Sequence, residues 1–341
     1  MVLFRADANS QIGMGHVMRC LSIADAFRET GQDAVFLLAD NHAAGIVELR
    51  GYKAVVLNSS YREMEEELSL WPVFNPDIII VDSYFVSNFY LEKLKEKAKL
   101  VYLDDMASFP YPVDILVNYN AYGIDIDYSK LYRQSISEPD YVLGISYAPL
   151  REMFAGLSKK IQNKRVSDIL FSTGGSDDLH IALNLVKSKP ENYHYHILIG
   201  AMNTDKAEIK KLAALQENIQ IHEDVQDMKS LISGCDIAIS AAGSTLYEIC
   251  ACGVPLITYI VADNQIPGAV AFEKLGLAEN CGDMRGKEDV VSSLIRSVER
   301  LAKNYNRRVE VGKRMQYMVD GQGAARLTNQ IMTIINDKKI Q

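Results

Sequence analysis

"VLFRADANSQIGMGHVMRCLSIADAF" occupies residues 2–27. An apolar run leads into a loop with two glycines. Beyond it Val17, Cys20, Leu21, Ala24 and Phe27 recur at helical spacing over 16–30. Gly31 stands where that helix would stop. A buried strand that turns through glycine into an amphipathic helix is how a doubly wound α/β domain opens. The spacing Gly13-x-Gly15 lacks the third glycine of a dinucleotide fingerprint, and only Asp40 stands near the end of a second strand, so a dinucleotide site is disfavoured. What remains is a turn at Gly13 and Gly15 that lets backbone approach a ligand. His16 follows it, at the helix N-terminus. The helix dipole there disfavours imidazolium, and a neutral ring suits a general base. A capping histidine without chemistry fits the same position. Arg19, one turn on, is either an anion contact or a surface charge.

Strand-like runs continue at 33–40, 53–58, 77–83, 99–105 and 114–120, with helix-like segments at 61–71 and 88–98. Apolar runs alternating with helices predict a parallel sheet covered on both faces. Residues 121–150 are rich in Tyr, Asp and Ser with weak periodicity. The polar, basic stretch that follows sets a domain boundary in 150–165. The pattern then restarts with "DILFSTGGSDD" (168–178), again strand, glycine loop and helix, followed by strands at 195–200, 219–223, 236–243 and 255–261. The expected organisation is an N-terminal domain over 1–150 and a C-terminal domain over 165–341. The latter's tail from 289 is helical and interrupted near 320–324. Two such domains facing each other would leave a cleft at the carboxyl ends of their sheets.

The 341 residues suit two domains, and a 48% hydrophobic content supports large cores. A formal charge of −8 argues against nucleic acid or an anionic membrane as the main partner. There is neither an apolar stretch of about 20 residues nor a signal-peptide pattern. Five cysteines without a C-x-x-C pair read as reduced, mostly buried thiols of a cytoplasmic protein. A monomer is the expectation, and the sequence does not fix the oligomeric state.

Besides the opening stretch, three constellations carry candidate chemistry. In "SAAGSTLYEICACGVPLI" (240–257), Gly243, Ser244 and Thr245 open a helix after a buried strand, which suits a phosphate. Glu248 is the sole charge on that helix and can accept both hydroxyls of a ribose; a solvated glutamate is the alternative. In "STGGSDD" (172–178), Gly174 and Ser176 could contact an oxyanion, or the stretch is a turn with an N-cap. "VDSY" (81–84) is a polar tip on an apolar strand, where Asp82 lines a cleft or caps the next helix. The pairs Asp104-Asp105 and Asp177-Asp178 lack metal-ligand spacing, and "HYH" (194–196) reads as structural or surface, so no metal is expected.

Taken together, "RADANSQIGMGHVMRCLSIADAF", "VDSY", "STGGSDD" and "AAGSTLYEICACGVPLI" resemble the PseG family, the UDP-2,4-diacetamido-2,4,6-trideoxy-β-L-altropyranose hydrolases of pseudaminic acid biosynthesis. The last motif is shared with two-domain glycosyltransferases such as the one that glycosylates the lipid-linked murein precursor. The resemblance implies a GT-B-like fold with a nucleotide-sugar cleft between two Rossmann-like domains. It implies inverting hydrolysis at C1 without metal or cofactor, with a UDP-sugar as substrate and UDP as product. By the same resemblance His16 would activate water, and Tyr84 would line the sugar pocket. Gly243, Ser244 and Thr245 would hold the diphosphate and Glu248 the ribose. Asn264 and Gln265, in "DNQ", match a position where related transferases touch the sugar. The alternative is a glycosyltransferase on the same fold.

Overall fold

The computed structural model describes every residue except 10, 136 and 341, and leaves the side chains of 338–340 aside as well. The chain divides into two compact units, Met1–Glu152 with Gln322–Gln341, and Met153–Gly321.

The first unit carries strands β1 (Val2–Ala6), β2 (Ala34–Leu38), β3 (Lys53–Val56), β4 (Ile78–Asp82), β5 (Lys99–Leu103), β6 (Ile115–Asn118) and β7 (Asp140–Leu143). Helices α1 (Gly15–Glu29), α2 (Ala44–Leu49), α3 (Asn88–Lys95) and α4 (Tyr128–Leu131) lie between them. The sheet order is β3-β2-β1-β4-β5-β6-β7, with every pair parallel. Winding reverses between β1 and β4, the point where α/β sheets leave a crevice at their carboxyl ends. There the register pairs Ala6 with Asp82.

The second unit repeats this plan with β8 (Asp168–Ser172), β9 (His194–Leu198), β10 (Ile219–His222), β11 (Ile237–Ala241), β12 (Leu256–Ile260) and β13 (Ala278–Asp283), in the order β10-β9-β8-β11-β12-β13. Its helices are α5 (Ile181–Lys187), α6 (Lys206–Ala213), α7 (Met228–Gly234), α8 (Thr245–Cys252), α9 (Ile266–Lys274), α10 (Val290–Lys303) and α11 (Tyr305–Met318). The reversal here falls between β8 and β11, so the loops carrying Gly174 and Gly243 share one end of one sheet. Both units are doubly wound, as the alternation predicts.

The inner face of α1 is the one its periodicity predicts: Val17, Cys20, Leu21, Ala24 and Phe27 are fully buried. They pack with Phe4 and Phe36, whose rings stack at 4.9 Å. The same core receives Leu327, Ile331 and Ile335 from α12 (Gly323–Ile340). These residues recur every four positions, so they form one stripe on the last helix. Burying each such side chain is worth about 1.5–3 kcal/mol. This corrects the expected domain limits, because the final helix belongs to the first unit and not to the second. Its amphipathic pattern declares an apolar face but not which core covers it.

Three further readings change. Residues 61–71 form no α-helix, only a 3-10 turn at Glu66–Ser69. Glu67 is drawn inward, where Arg5 donates to it through Nε and Nη2 at 2.7 Å each and the Tyr90 hydroxyl at 2.6 Å. That buried pairing overrides the helical propensity of a glutamate-rich run. Strand β7 emerges from the weakly patterned 121–150, and β13 from "AENCGD", whose sequence has no strand-like alternation. Both lie at the far edge of their sheets.

Candidate active site

The site in the first unit is built at the carboxyl ends of β1 and β4. Gly13 closes the loop after β1 with a positive φ of 73°, its N–H donating to the Asn9 carbonyl at 2.8 Å. Gly15 opens α1, and a Cβ added there would meet nothing within 4 Å. His16 follows and is 5% exposed. Its Nδ1 lies 2.6 Å from Oδ1 of Asp82, the last residue of β4. The Tyr84 ring stands edge-on to the imidazole with centroids 4.6 Å apart.

Arg19 lies on the same face of α1, three residues on, where helical neighbours meet. Its Nε and Nη2 grip the two oxygens of Asp82 at 2.5 Å each. Its other edge faces Asp105, with Nη2 to Oδ2 at 2.9 Å and Nη1 to Oδ1 at 3.2 Å. Nη1 also reaches the Tyr119 hydroxyl at 2.7 Å. Asp105 in turn accepts from the Tyr84 hydroxyl at 3.0 Å and from Asn120 Nδ2 at 2.7 Å. Arg19 is thus neither of the two things its sequence position suggested. It is the hub of an internal network.

Burial, the largest single influence on Asp82, works to raise its pKa. The Arg19 charge, with His16 and the hydrogen bonds of both, outweighs it and holds the carboxyl well below the usual range. Burial and then the Asp105 charge push the Tyr84 hydroxyl upward, so it remains a donor. Burial and then the Asp82 charge also raise the Cys20 thiol, which keeps it protonated and fits a core cysteine. Asp104, although adjacent to Asp105, serves the fold: it accepts from Tyr111 at 3.0 Å and from Tyr128 at 2.5 Å.

The candidate residues of the second unit lie at the reversal of its own sheet. Gly243 and Ser244 are exposed, and Thr245 and Glu248 are partly buried on the first turn of α8. Ser244 occupies the N-cap without a side-chain capping bond. A Cβ on Gly243 would meet nothing within 4 Å, and the same holds at Gly174. Ser176 is partly buried on the loop after β8. That loop is braced from beneath, since a Cβ on Gly200 would come within 2.1 Å of the Gly174 carbonyl oxygen. Asp177 caps α5, accepting from the N–H groups of Ile181 and Ala182 at 2.9 and 2.8 Å. Asn264 is exposed, whereas Gln265 accepts from the Val261 N–H at 2.9 Å, which ties its oxygen to the local turn. His196, from "HYH", pairs with Asp168 and His222 at 3.0 and 3.1 Å.

Sequence reasoning did not join Asp82 to His16 and did not single out Asp105 or Tyr119. The i,i+3 spacing of His16 and Arg19 was the one local signal available. The pairing of β1 with β4, which brings residues 16 and 82 together, leaves no trace in either segment alone.

Residues 169–330 match the model of the glycosyltransferase family 28 C-terminal domain. The chain is 29% identical over 252 residues to the UDP-2,4-diacetamido-2,4,6-trideoxy-β-L-altropyranose hydrolase of Campylobacter jejuni, covering 72% of this chain and 86% of that protein. It is 25% identical over 346 residues to the spore coat polysaccharide biosynthesis protein SpsG of Bacillus subtilis, covering 95% of each. Among solved structures, MurG of Acinetobacter baumannii aligns with a TM-score of 0.63 at 14% identity, over 97% of this chain and 99% of that one. That last likeness speaks for the fold, which is of the GT-B type. Over most of its length the chain is therefore similar to the nucleotide-sugar hydrolases that its opening motif resembles, on a fold that it shares with glycosyltransferases.

Proposed function

We propose that this protein hydrolyses a UDP-linked diacetamido-trideoxy sugar, cleaving the C1–O bond with inversion and releasing UDP. The observation that carries the reading is the His16–Asp82 pair. A nitrogen 2.6 Å from a carboxylate kept ionised must carry the proton between them. Nδ1–H therefore donates to Asp82, and Nε2 keeps its lone pair for the water that attacks C1. As the water yields its proton, Asp82 stands opposite the positive charge that the ring acquires. Tyr84, beside the ring, is assigned to the sugar.

The nucleotide end is assigned to the second unit. Gly243, Ser244 and Thr245 at the start of α8, with Gly174 and Ser176, would hold the diphosphate, and Glu248 the ribose. A helix N-terminus offers N–H donors and a positive dipole to the charge that develops on the departing UDP. This division of labour asks for no metal and no cofactor. Asn264 and, with its remaining amide donors, Gln265 are the weaker sugar contacts. The named activity of the Campylobacter jejuni relative supports the sugar class, and biosynthesis of pseudaminic acid or a related surface sugar is the corresponding role. Cytoplasmic UDP-sugar pools fit the absence of any disulfide among the described cysteines. No described helix is long and apolar enough to cross a membrane.

The test is a proton NMR time course with UDP-2,4-diacetamido-2,4,6-trideoxy-β-L-altropyranose and no acceptor. Release of UDP with inversion at C1 is expected. His16→Asn should keep UDP affinity and lose turnover by about 10²–10⁴-fold, the usual contribution of a general base. Near-full hydrolysis by that variant would remove His16 from the role. The match of residues 169–330 to a glycosyltransferase domain favours transfer as a second reading, and strict dependence on an acceptor would select it.

A further inference from the structure

The network behind His16 contains more groups than are needed to orient one ring. His16 is faced by Asp82 from β4, Arg19 from its own helix and Tyr84 from the loop after β4. Behind these stand Asp105, Tyr119 and the Cys20 thiol.

A guanidinium has five N–H donors and no acceptor. In Arg19 all five are spent. Nε gives one to Asp82, Nη2 gives one each to Asp82 and Asp105, and Nη1 gives one each to Asp105 and Tyr119. Yet Nη2 also lies 3.1 Å from His16 Nδ1, well within hydrogen-bonding distance. Both of its hydrogens already serve carboxylates, so it can offer the ring no more than a share of one of them. Were it to donate fully, Nδ1 would become an acceptor, the ring proton would move to Nε2, and the lone pair needed by a base would be gone.

We infer that Asp105 is a positioning residue that sets the tautomer of His16 through Arg19. By drawing two N–H groups of Arg19 toward itself, it leaves Asp82 as the shorter and dominant partner of Nδ1 and so keeps Nε2 unprotonated. Asp105 acts at one remove from the ring. The carboxylate is required because each of its oxygens accepts two hydrogen bonds: from Arg19 Nη1 and Asn120 on one, and from Arg19 Nη2 and Tyr84 on the other. An amide at this position would supply one acceptor oxygen in place of two.

This inference rests on the reading of His16 as the base, and it is tested without relying on turnover. Two-bond ¹⁵N–¹H imidazole spectra of the purified chain, at a pH where the ring is neutral, report which nitrogen carries the proton. His16 is assigned among the six histidines by its loss in His16→Asn. The wild type is expected to show the Nδ1–H form. Asp105→Ala, which frees both inner donors, is expected to show the Nε2–H form as a major species. Asp105→Asn is expected to show an intermediate population. Tyr84→Phe, which removes the hydroxyl that donates to the Asp105 carboxylate but leaves Arg19 alone, should keep the wild-type tautomer. A parallel assay of UDP release should find kcat of Asp105→Ala lowered by about tenfold or more, inside the range that a base contributes, with UDP affinity unchanged. An Nε2–H wild type overturns the inference outright, whatever the variants do. So does an exclusively Nδ1–H ring in a folded Asp105→Ala or Asp105→Asn chain. Turnover by His16→Asn would instead refute the base itself, which keeps the two failures apart.

Discussion

The two sheets reverse at equivalent places, yet what stands there differs in kind. At the reversal of the first unit, charged side chains from α1, β4 and the loop after β5 are buried or partly buried and engaged with one another. At the reversal of the second, small residues and hydroxyls stand exposed or half-buried on glycine turns, with open space beside Gly174 and Gly243. One fold has been used for two purposes. A buried ionic network fixes a proton's position but is expensive to desolvate, so it suits chemistry. An exposed helix N-terminus holds an anion with backbone alone and suits binding. If this contrast is right, variants of the first site should change rate, and variants of the second should change affinity.

The largest effect should follow Asp82→Asn. It removes the negative charge opposite His16 and leaves one acceptor oxygen for His16 Nδ1 and Arg19 to share. A kcat loss of about 10²–10⁴-fold is expected, and removing one partner of a buried pair should cost about 3–5 kcal/mol of stability. UDP affinity, measured by calorimetry, should not move; a weakened UDP site would erase the distinction between the two reversals. Gly200→Ala comes next. Its new methyl would meet backbone at Gly174 and Gly175, so a loss of about 2–3 kcal/mol in denaturant unfolding is expected. Gly243→Ala should do the opposite. Space for the methyl exists, so the unfolding midpoint should hold while UDP binding weakens by about tenfold, roughly 1.4 kcal/mol. Unchanged affinity would take Gly243 out of the phosphate site. The smallest effect is the acid response. The native Asp82 carboxyl is held below its unfolded value, so its contribution to stability is complete above about pH 4 and fades as pH falls from there toward the native value. Asp82→Asn should flatten that part of the stability profile, and an unaltered slope would show that other carboxylates govern it.

The strands other than β7 and β13 and the inward face of α1 were legible because each is written locally, in apolar runs and in a 3.6-residue period. His16 was legible as a candidate because glycines flank it. Its partner was not. Asp82 read equally well as a helix cap, because only the parallel register of β1 with β4 turns a separation of 66 residues into 2.6 Å. Asp104 and Asp105 looked like one acidic pair, yet the backbone sends the first into a tyrosine cage and the second onto Arg19. Glu67 shows the opposite error. Local propensity favoured a helix, and a buried arginine from β1 overruled it. The glycine turns of the second unit were easier to read because backbone turns are encoded at short range in the sequence.

The position of α12 has a consequence for how the molecule is made. The segment that begins at residue 322 completes the core against which α1 packs, and α1 carries His16. The second unit is therefore an insertion within the first. During synthesis it can close as one continuous stretch, while the unit that carries His16 must wait for residues 322–340 to leave the ribosome. Residues 153–321 can be cut out as a single piece of gene, whereas the other half can be obtained alone only by splicing its two ends or permuting them. A frameshift in the codons of α12 would then disturb the core beneath His16, close to the opposite end of the chain.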